Sequence, residues 1–258
     1  MNAYVAAFAT SARDALRYRR ELLGRSVFLG LVLFVFDRVW RTVAAHADTG
    51  RTPGQLVLYL LVTEAVTFAP GGWDTDVSKD VRSGDLAVQL LRPVDFVAWH
   101  VARQSGAALV TMAWLLLTVG PFALLAEGAA GLRPAGVACG LALAAMAVVV
   151  SCSIRTLIGL CAFWIEDAQP LSWVWQKAGF VLGGLFLPLD MYPPWLRAVA
   201  EVLPFQALLY GPARTAVDFQ ASFALATALR LLGWGAVIVA TLHLVHARAA
   251  RRIQLQGG

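Results

Sequence analysis

Glu64, Arg155 and Arg230 are ionisable side chains set inside apolar runs of this 258-residue chain. A charge at membrane depth is costly, so such groups mark substrate, ion or proton paths by default. Arg155, close to the end of its run, can snorkel to the interface. Glu64 lies in mid-run and cannot. It serves either an interhelical hydrogen bond or a path. A denser constellation is Asp74–Asp95, DTDVSKDVRSGDLAVQLLRPVD, which carries eight of the chain's 37 charged residues. In it Asp76–Arg82 reads as a helix with Val77 and Val81 on one side and Asp76, Lys79, Asp80 and Arg82 on the other. Ser83-Gly84 breaks that helix. Asp85 is placed to favour the start of a second one, LAVQLLR, which stops at Arg92 before Pro93. Such an insertion between apolar segments is expected to be a contact surface for something in the aqueous phase.

Several chemistries are excluded. A phosphate-binding P-loop needs Gly-Lys-Ser/Thr, but Lys79 lies between Ser78 and Asp80, and Lys177 between Gln176 and Ala178. They are the only lysines. There is no G-x-S-x-G elbow, no H-E-x-x-H and no EF-hand loop. His46, His100, His243 and His246 are scattered. Cys139, Cys152 and Cys161 lie at least nine residues apart in one run, too far for a disulfide along a helix, and match no zinc spacing. No catalytic, cofactor-binding or metal-binding residue is expected in this chain.

The elements that must position these groups are helices in a membrane. The chain is 59% hydrophobic and 14% charged, with a mean hydropathy of +0.67; soluble domains carry about 25% charged residues. Several runs approach the ~20 residues needed to cross a bilayer. The fold expected is all-α integral membrane with six spans, near Ser26–Ala45, Gln55–Ala69, Ser105–Ala126, Ala135–Ile165, Leu171–Leu187 and Ser222–Val245. Residues 1–25 form a basic amphipathic leader, which the weak cleavage-like Ala45-His46-Ala47 is expected to leave attached. A short amphipathic piece, Phe96–Gln104, precedes the third span. Residues 188–214 hold five prolines among apolar residues and read as short outer helices, one opening at Pro194 with an Arg197/Glu201 pair. Residues 26–248 thus make one transmembrane domain, with 249–258 a tail.

Lys and Arg counts set the orientation. With the N-terminus inside, inner segments hold thirteen and outer segments five, so both termini and the 74–95 segment are expected in the cytoplasm. The net charge of +5 follows this bias and is no nucleic-acid signature. Gly136-x-x-x-Gly140 and Gly179-x-x-x-Gly183 are weak signals of close helix packing.

The sequence resembles the membrane subunits of type-2 ABC exporters, in the branch of about 260 residues. The resemblance rests on Ser83-Gly84-Asp85-Leu86 with Leu90-Leu91-Arg92-Pro93-Val94, and on Pro193-Pro194-Trp195-Leu196 with Leu203-Pro204-Phe205. It extends over essentially the whole chain. It implies a permease without an ATPase of its own, in a bacterial inner membrane, exporting a hydrophobic or amphipathic substrate. Two separate ATPase subunits would bind ATP and Mg and dock on the leader and on Asp74–Arg92, the 74–95 insertion being the coupling helix between the second and third spans. A second permease subunit, identical or related, would complete the pathway. Asp37, Arg38 and Arg41 in the first span depart from the pattern. Two other readings compete. One is an ion-coupled carrier with Glu64 as its proton site. The other, a lipid-modifying enzyme, lacks the boundary clusters of His, Asp or Ser that it would need.

Overall fold

The computed structural model describes residues 2–44, 46, 50–71, 76–83, 94–127, 132–165 and 167–256. Every regular element among them is helical. Helix α1 (Ala3–Arg17) is followed, after a break at Tyr18, by α2 (Arg19–Ala44). The leader therefore does not end at residue 25, because its last basic residues open α2. Asn2 accepts the Tyr4 amide to start α1. Between Arg25 and Asp37, α2 has only eleven uncharged residues, about 16 Å of helix.

Helix α3 (Pro53–Phe68) begins at a capping box, in which Thr52 Oγ1 accepts the Gln55 amide and Gln55 Oε1 accepts the Thr52 amide. Proline in its first turn costs no hydrogen bond. Helix α4 is Asp76–Ser83. Helix α5 (Phe96–Glu127) is capped by Asp95, which accepts the Ala98 amide at 2.6 Å. The separate piece expected at Phe96–Gln104 is continuous with the third span, since no residue there breaks a helix. Pro121 lies within α5 near its far end.

Helix α6 (Pro134–Leu160) runs into a turn at Cys161 and a further turn of helix, Ala162–Ile165. Helix α7 (Gln169–Leu182) is shorter than the expected fifth span, because the chain turns at Gly184 with φ +68°. That left-handed angle is open to glycine. A 3₁₀ turn (Leu189–Met191), α8 (Pro194–Val202), a π-helical turn (Gln206–Tyr210) and α9 (Gly211–Val217) follow. Arg197 donates to Glu201 at 2.8 Å on α8, as expected. Helix α10 (Ala221–Gln256) absorbs both the sixth span and the tail.

Stretches of three helices, Phe96–Leu125, Pro134–Ile165 and Ala221–Ala249, are long and apolar enough to cross a membrane, and Pro53–Phe68 is a shorter apolar helix. The core is continuous from α2 to α10, with α3 buried along most of its length. Small residues make the closest approaches. A Cβ on Gly140 would lie 2.6 Å from Ala216 Cβ and 2.7 Å from Ala216 N, and one on Gly136 would lie 2.7 Å from Phe219 Cβ. Thus α9 lies against the Gly136/Gly140 face of α6. At Gly183 a Cβ would meet Leu209 at 2.6 Å, whereas Gly179 has only ordinary contact with Phe205. Polar side chains stitch the helices where no water is available. Ser26 Oγ lies 3.0 Å from Thr118 Oγ1 and accepts the Trp114 indole N–H at 3.2 Å. Gln104 donates to Thr156 at 3.1 Å.

Candidate functional site

Helix α4 is docked by one side and presents the other. Val77 is fully buried and Ser78 nearly so, while Lys79 is exposed and Asp80 half-buried. Residues two apart on a helix point about 200° from one another, so Val77 can sink while Lys79 stays outside. Val77 packs with Phe96 and Val97 of α5, Leu160 of α6 and Leu242 of α10. The three longest apolar helices thus meet at the first helix of the charged insertion. This agrees with the expected division of Val77 from Lys79, while Asp80, expected on the water side, is half-buried. The side chains of Asp76, Val81 and Arg82, and the whole of Asp85 and Arg92, lie outside the described residues.

Sequence reasoning missed the aromatic seat beneath α4. The Phe96 ring is 4.2 Å from the fully buried His100 and stacks on His246 at 5.0 Å, and His100 lies edge-on to Trp99. The spacing of Phe96, Trp99 and His100 at one helix start was a usable signal, but His246 is distant in sequence. Arg25 was also missed. Its Nη1 donates to the Phe68 carbonyl at 3.1 Å and its Nη2 pairs with Glu21, so a guanidinium closes the negative C-terminal end of α3. On the far side of the insertion, Tyr4 Oη accepts the Asp95 amide at 3.1 Å. A Cβ on Gly106 would run into the Phe8 carbonyl. The leader therefore touches the chain just before and just after the insertion.

At membrane depth the structure keeps the three ionisable groups apart. Glu64 is 3% exposed on α3, on the i, i+4, i+7, i+11 stripe of Val57, Leu61, Glu64 and Phe68. Phe68 meets Phe28 of α2 edge-on, and Leu61 lies against Gly120 of α5. Among the described residues no hydrogen bond or ion pair reaches the Glu64 carboxyl, and no ion pair joins any two of Glu64, Arg155 and Arg230. Arg230 donates to Gln206 Oε1 at 3.0 Å, which ties α10 to the π-helical turn. Arg155 lines a cleft of about 90 Å³ between α3, α6, α7 and that turn, with Ser151, Ser172 and Gln176 on its polar side and Trp175, Phe180 and Phe205 on its aromatic side.

Around this cleft, α3 holds the far end of α7 through two hydroxyls. Tyr59 donates to the Gly184 carbonyl and Thr63 to the Leu185 carbonyl at 3.0 Å. Both acceptors are freed by the turn at Gly184, where backbone leaves the helix and needs new partners. Beyond them Arg51 pairs with Asp190.

A family model described as ABC-2 family transporter protein matches residues 54–257, from the start of α3 to the end of α10. The chain belongs to this family. No curated protein matches it. As an ABC-2 family member the chain is a membrane component of an ABC transporter, a permease rather than the ATPase, and the family works in the membrane with ATP-binding subunits. The match takes in α4 and every residue singled out at membrane depth, but leaves out the leader and α2.

Proposed function

We propose that this chain is the permease of an ATP-driven exporter, with α4 as the helix that receives force from a separate ATPase subunit. The observation that carries this reading is the division of α4: Val77 packs in one cluster with the start of α5, the end of α6 and Leu242 within α10, while Lys79 is exposed and Asp80 half-buried. A rigid push on such a helix reaches three long apolar helices at once, as rocking of membrane halves between inward-open and outward-open states requires. In this reading α2, α3 and α7 join the three longest helices as six spans of a bacterial inner membrane, and the Lys and Arg bias assigns both termini, the leader and the 74–95 segment to the cytoplasm. Asp76, Arg82, Asp85 and Arg92 extend the ATPase-facing surface. Two ATPase subunits, each holding ATP and Mg, and a second permease subunit complete the complex. The cargo is hydrophobic or amphipathic, and Arg155 in its aromatic cleft is the residue placed to touch it.

Charge reversal tests the reading. Asp80→Lys should uncouple ATP hydrolysis from transport in reconstituted complexes while leaving the chain folded. Coupled activity equal to wild type would remove α4 from the mechanism.

A second reading has one observation behind it. Glu64, buried with no partner among the described residues, suits a proton or ion site of a gradient-driven carrier. Transport driven by a proton gradient with no ATPase present would favour it over the first.

A further inference from the structure

The cleft between α3, α6 and α7 carries polar capacity that the chain does not use. Ser172, Trp175, Gln176 and Gly179 line it from α7 at i, i+3, i+4 and i+7, one face of a helix. The buried Gln176 Oε1 has no hydrogen-bond partner, and the rest of that amide makes no hydrogen bond among the described residues. The hydroxyls of Ser172 and of Ser151 on α6 make none among the described residues either. Arg155 differs, since it already has an interaction within the chain. A polar group left unpartnered away from water costs free energy. Three such side chains around one cleft call for a guest that brings a polar group of its own.

Much of the remaining wall is aromatic. The Trp175 and Phe205 rings lie 4.4 Å apart, tilted by 39°, and Phe180 borders the same space. Gly179 keeps α7 from covering the Phe205 ring, since a Cβ there would lie 3.5 Å from Phe205 Cδ1. An aromatic guest gains from such rings beyond the area that it buries. An acyl chain gains little by leaving the bilayer, because lipid tails are as apolar as leucine. At about 90 Å³ the cleft is smaller than the roughly 150 Å³ apolar cavity known to take up benzene. It is open on one side, so it admits the end of a molecule. No acidic side chain lines it among the described residues, and a cation there would lack a counter-charge.

We propose that this cleft binds the aromatic end of an uncharged amphiphile, with its ring against Trp175 and Phe205 and a hydroxyl against the Gln176 amide and Ser172. A hydroxyl both donates and accepts, so it pairs with the amide whichever end of that group turns to the cleft. The cleft lies between the end of α3 that Arg25 caps and the first turns of α7. The Lys and Arg bias assigns that side to the cytoplasm. On the exporter reading, on which this inference rests, cargo loads from there, and its class is a phenol whose apolar tail extends out of the cleft.

The test uses the full-length chain in phosphatidylcholine nanodiscs, with tritiated para-butylphenol as the probe. Scintillation proximity reads binding, and only saturable binding counts. Unlabelled para-butyltoluene keeps the ring without the hydroxyl, and para-butylcyclohexanol keeps the hydroxyl without the aromatic ring. Compared at equal concentration in the membrane, para-butylphenol should displace the label roughly tenfold better than para-butyltoluene, the worth of one hydrogen bond to a group with no other partner. It should surpass para-butylcyclohexanol roughly fivefold, the worth of the ring contact. Gln176→Leu should bring the phenol and the toluene level while melting no lower than wild type, because the amide has no partner among the described residues to lose. Wild type that binds no para-butylphenol saturably would overturn the proposal, leaving the cleft to water. Wild type that ranks the phenol and the toluene alike would overturn it too, as would a folded Gln176→Leu protein that keeps the preference. Binding needs no ATPase, so these results leave the exporter reading to the Asp80→Lys test, and a chain that failed that test would still bind the phenol.

Discussion

Substituting Gly140 by alanine puts the packing of α6 on α9 to a quantitative test. In most helices Gly→Ala is stabilising, by up to about 1 kcal/mol, because alanine has the better helix propensity and less freedom to lose. At Gly140 the new methyl would lie 2.6 Å from Ala216 Cβ and 2.7 Å from the Ala216 backbone nitrogen. Neither atom belongs to a flexible side chain that could swing aside, so α9 itself must move. Overpacking of this kind costs about 1–3 kcal/mol, which reverses the sign set by propensity. Gly233 of α10 is the matched control, since a Cβ there meets nothing within 4 Å. Thermal unfolding in one detergent, followed by tryptophan fluorescence, should show Gly140→Ala melting several degrees below wild type and Gly233→Ala at or above it. Equal melting of Gly140→Ala and wild type would refute the close approach, and with it the position of the segment that carries the π-helical turn and Gln206.

Glu64→Gln should leave thermal stability unchanged or raise it, because the buried carboxyl has no partner among the described residues to lose. A marked drop in melting temperature would reveal a cation that holds it. Thr63→Val should cost about 0.5–1.5 kcal/mol, the worth of one hydrogen bond to the Leu185 carbonyl, measured by denaturant unfolding in mixed micelles. Gly106→Leu should force the Phe8 carbonyl away and loosen α1, so that trypsin cuts after Arg13 or Arg17 faster than in wild type. An unchanged cleavage rate would mean that α1 is not held there.

Composition and run length were enough to reveal an all-helical chain with long apolar elements, because a membrane imposes those properties on sequence directly. The ends of elements were harder to read. Phe96–Gln104 is polar enough to suggest a separate piece, yet nothing in it stops a helix that began at Asp95. The fifth span looked longer because Leu185–Leu187 is apolar, whereas Gly184 turns the chain before them. The first half of the charged insertion was legible from the alternation of Val77 with Lys79 and Asp80. Its seat was not, since Phe96, Leu160 and Leu242 come together only through tertiary packing. Likewise the Gly136 and Gly140 pattern was weak among 22 glycines, and only the place of Ala216 gives it meaning. Arg25 looked like one more leader charge; its role as a cap depends on α3 ending beside it.

The central claim is that α4 meets a separate ATPase. Full-length tagged chain, purified in mild detergent from its own host membranes, should carry Mg-dependent, vanadate-sensitive ATP hydrolysis, although it has no P-loop lysine. The double variant Lys79→Glu/Asp80→Lys should lose that activity while eluting and melting as wild type does. Preparations of wild type with no hydrolysis above that of an unrelated tagged membrane protein would contradict the account, and so would a double variant that keeps the full rate.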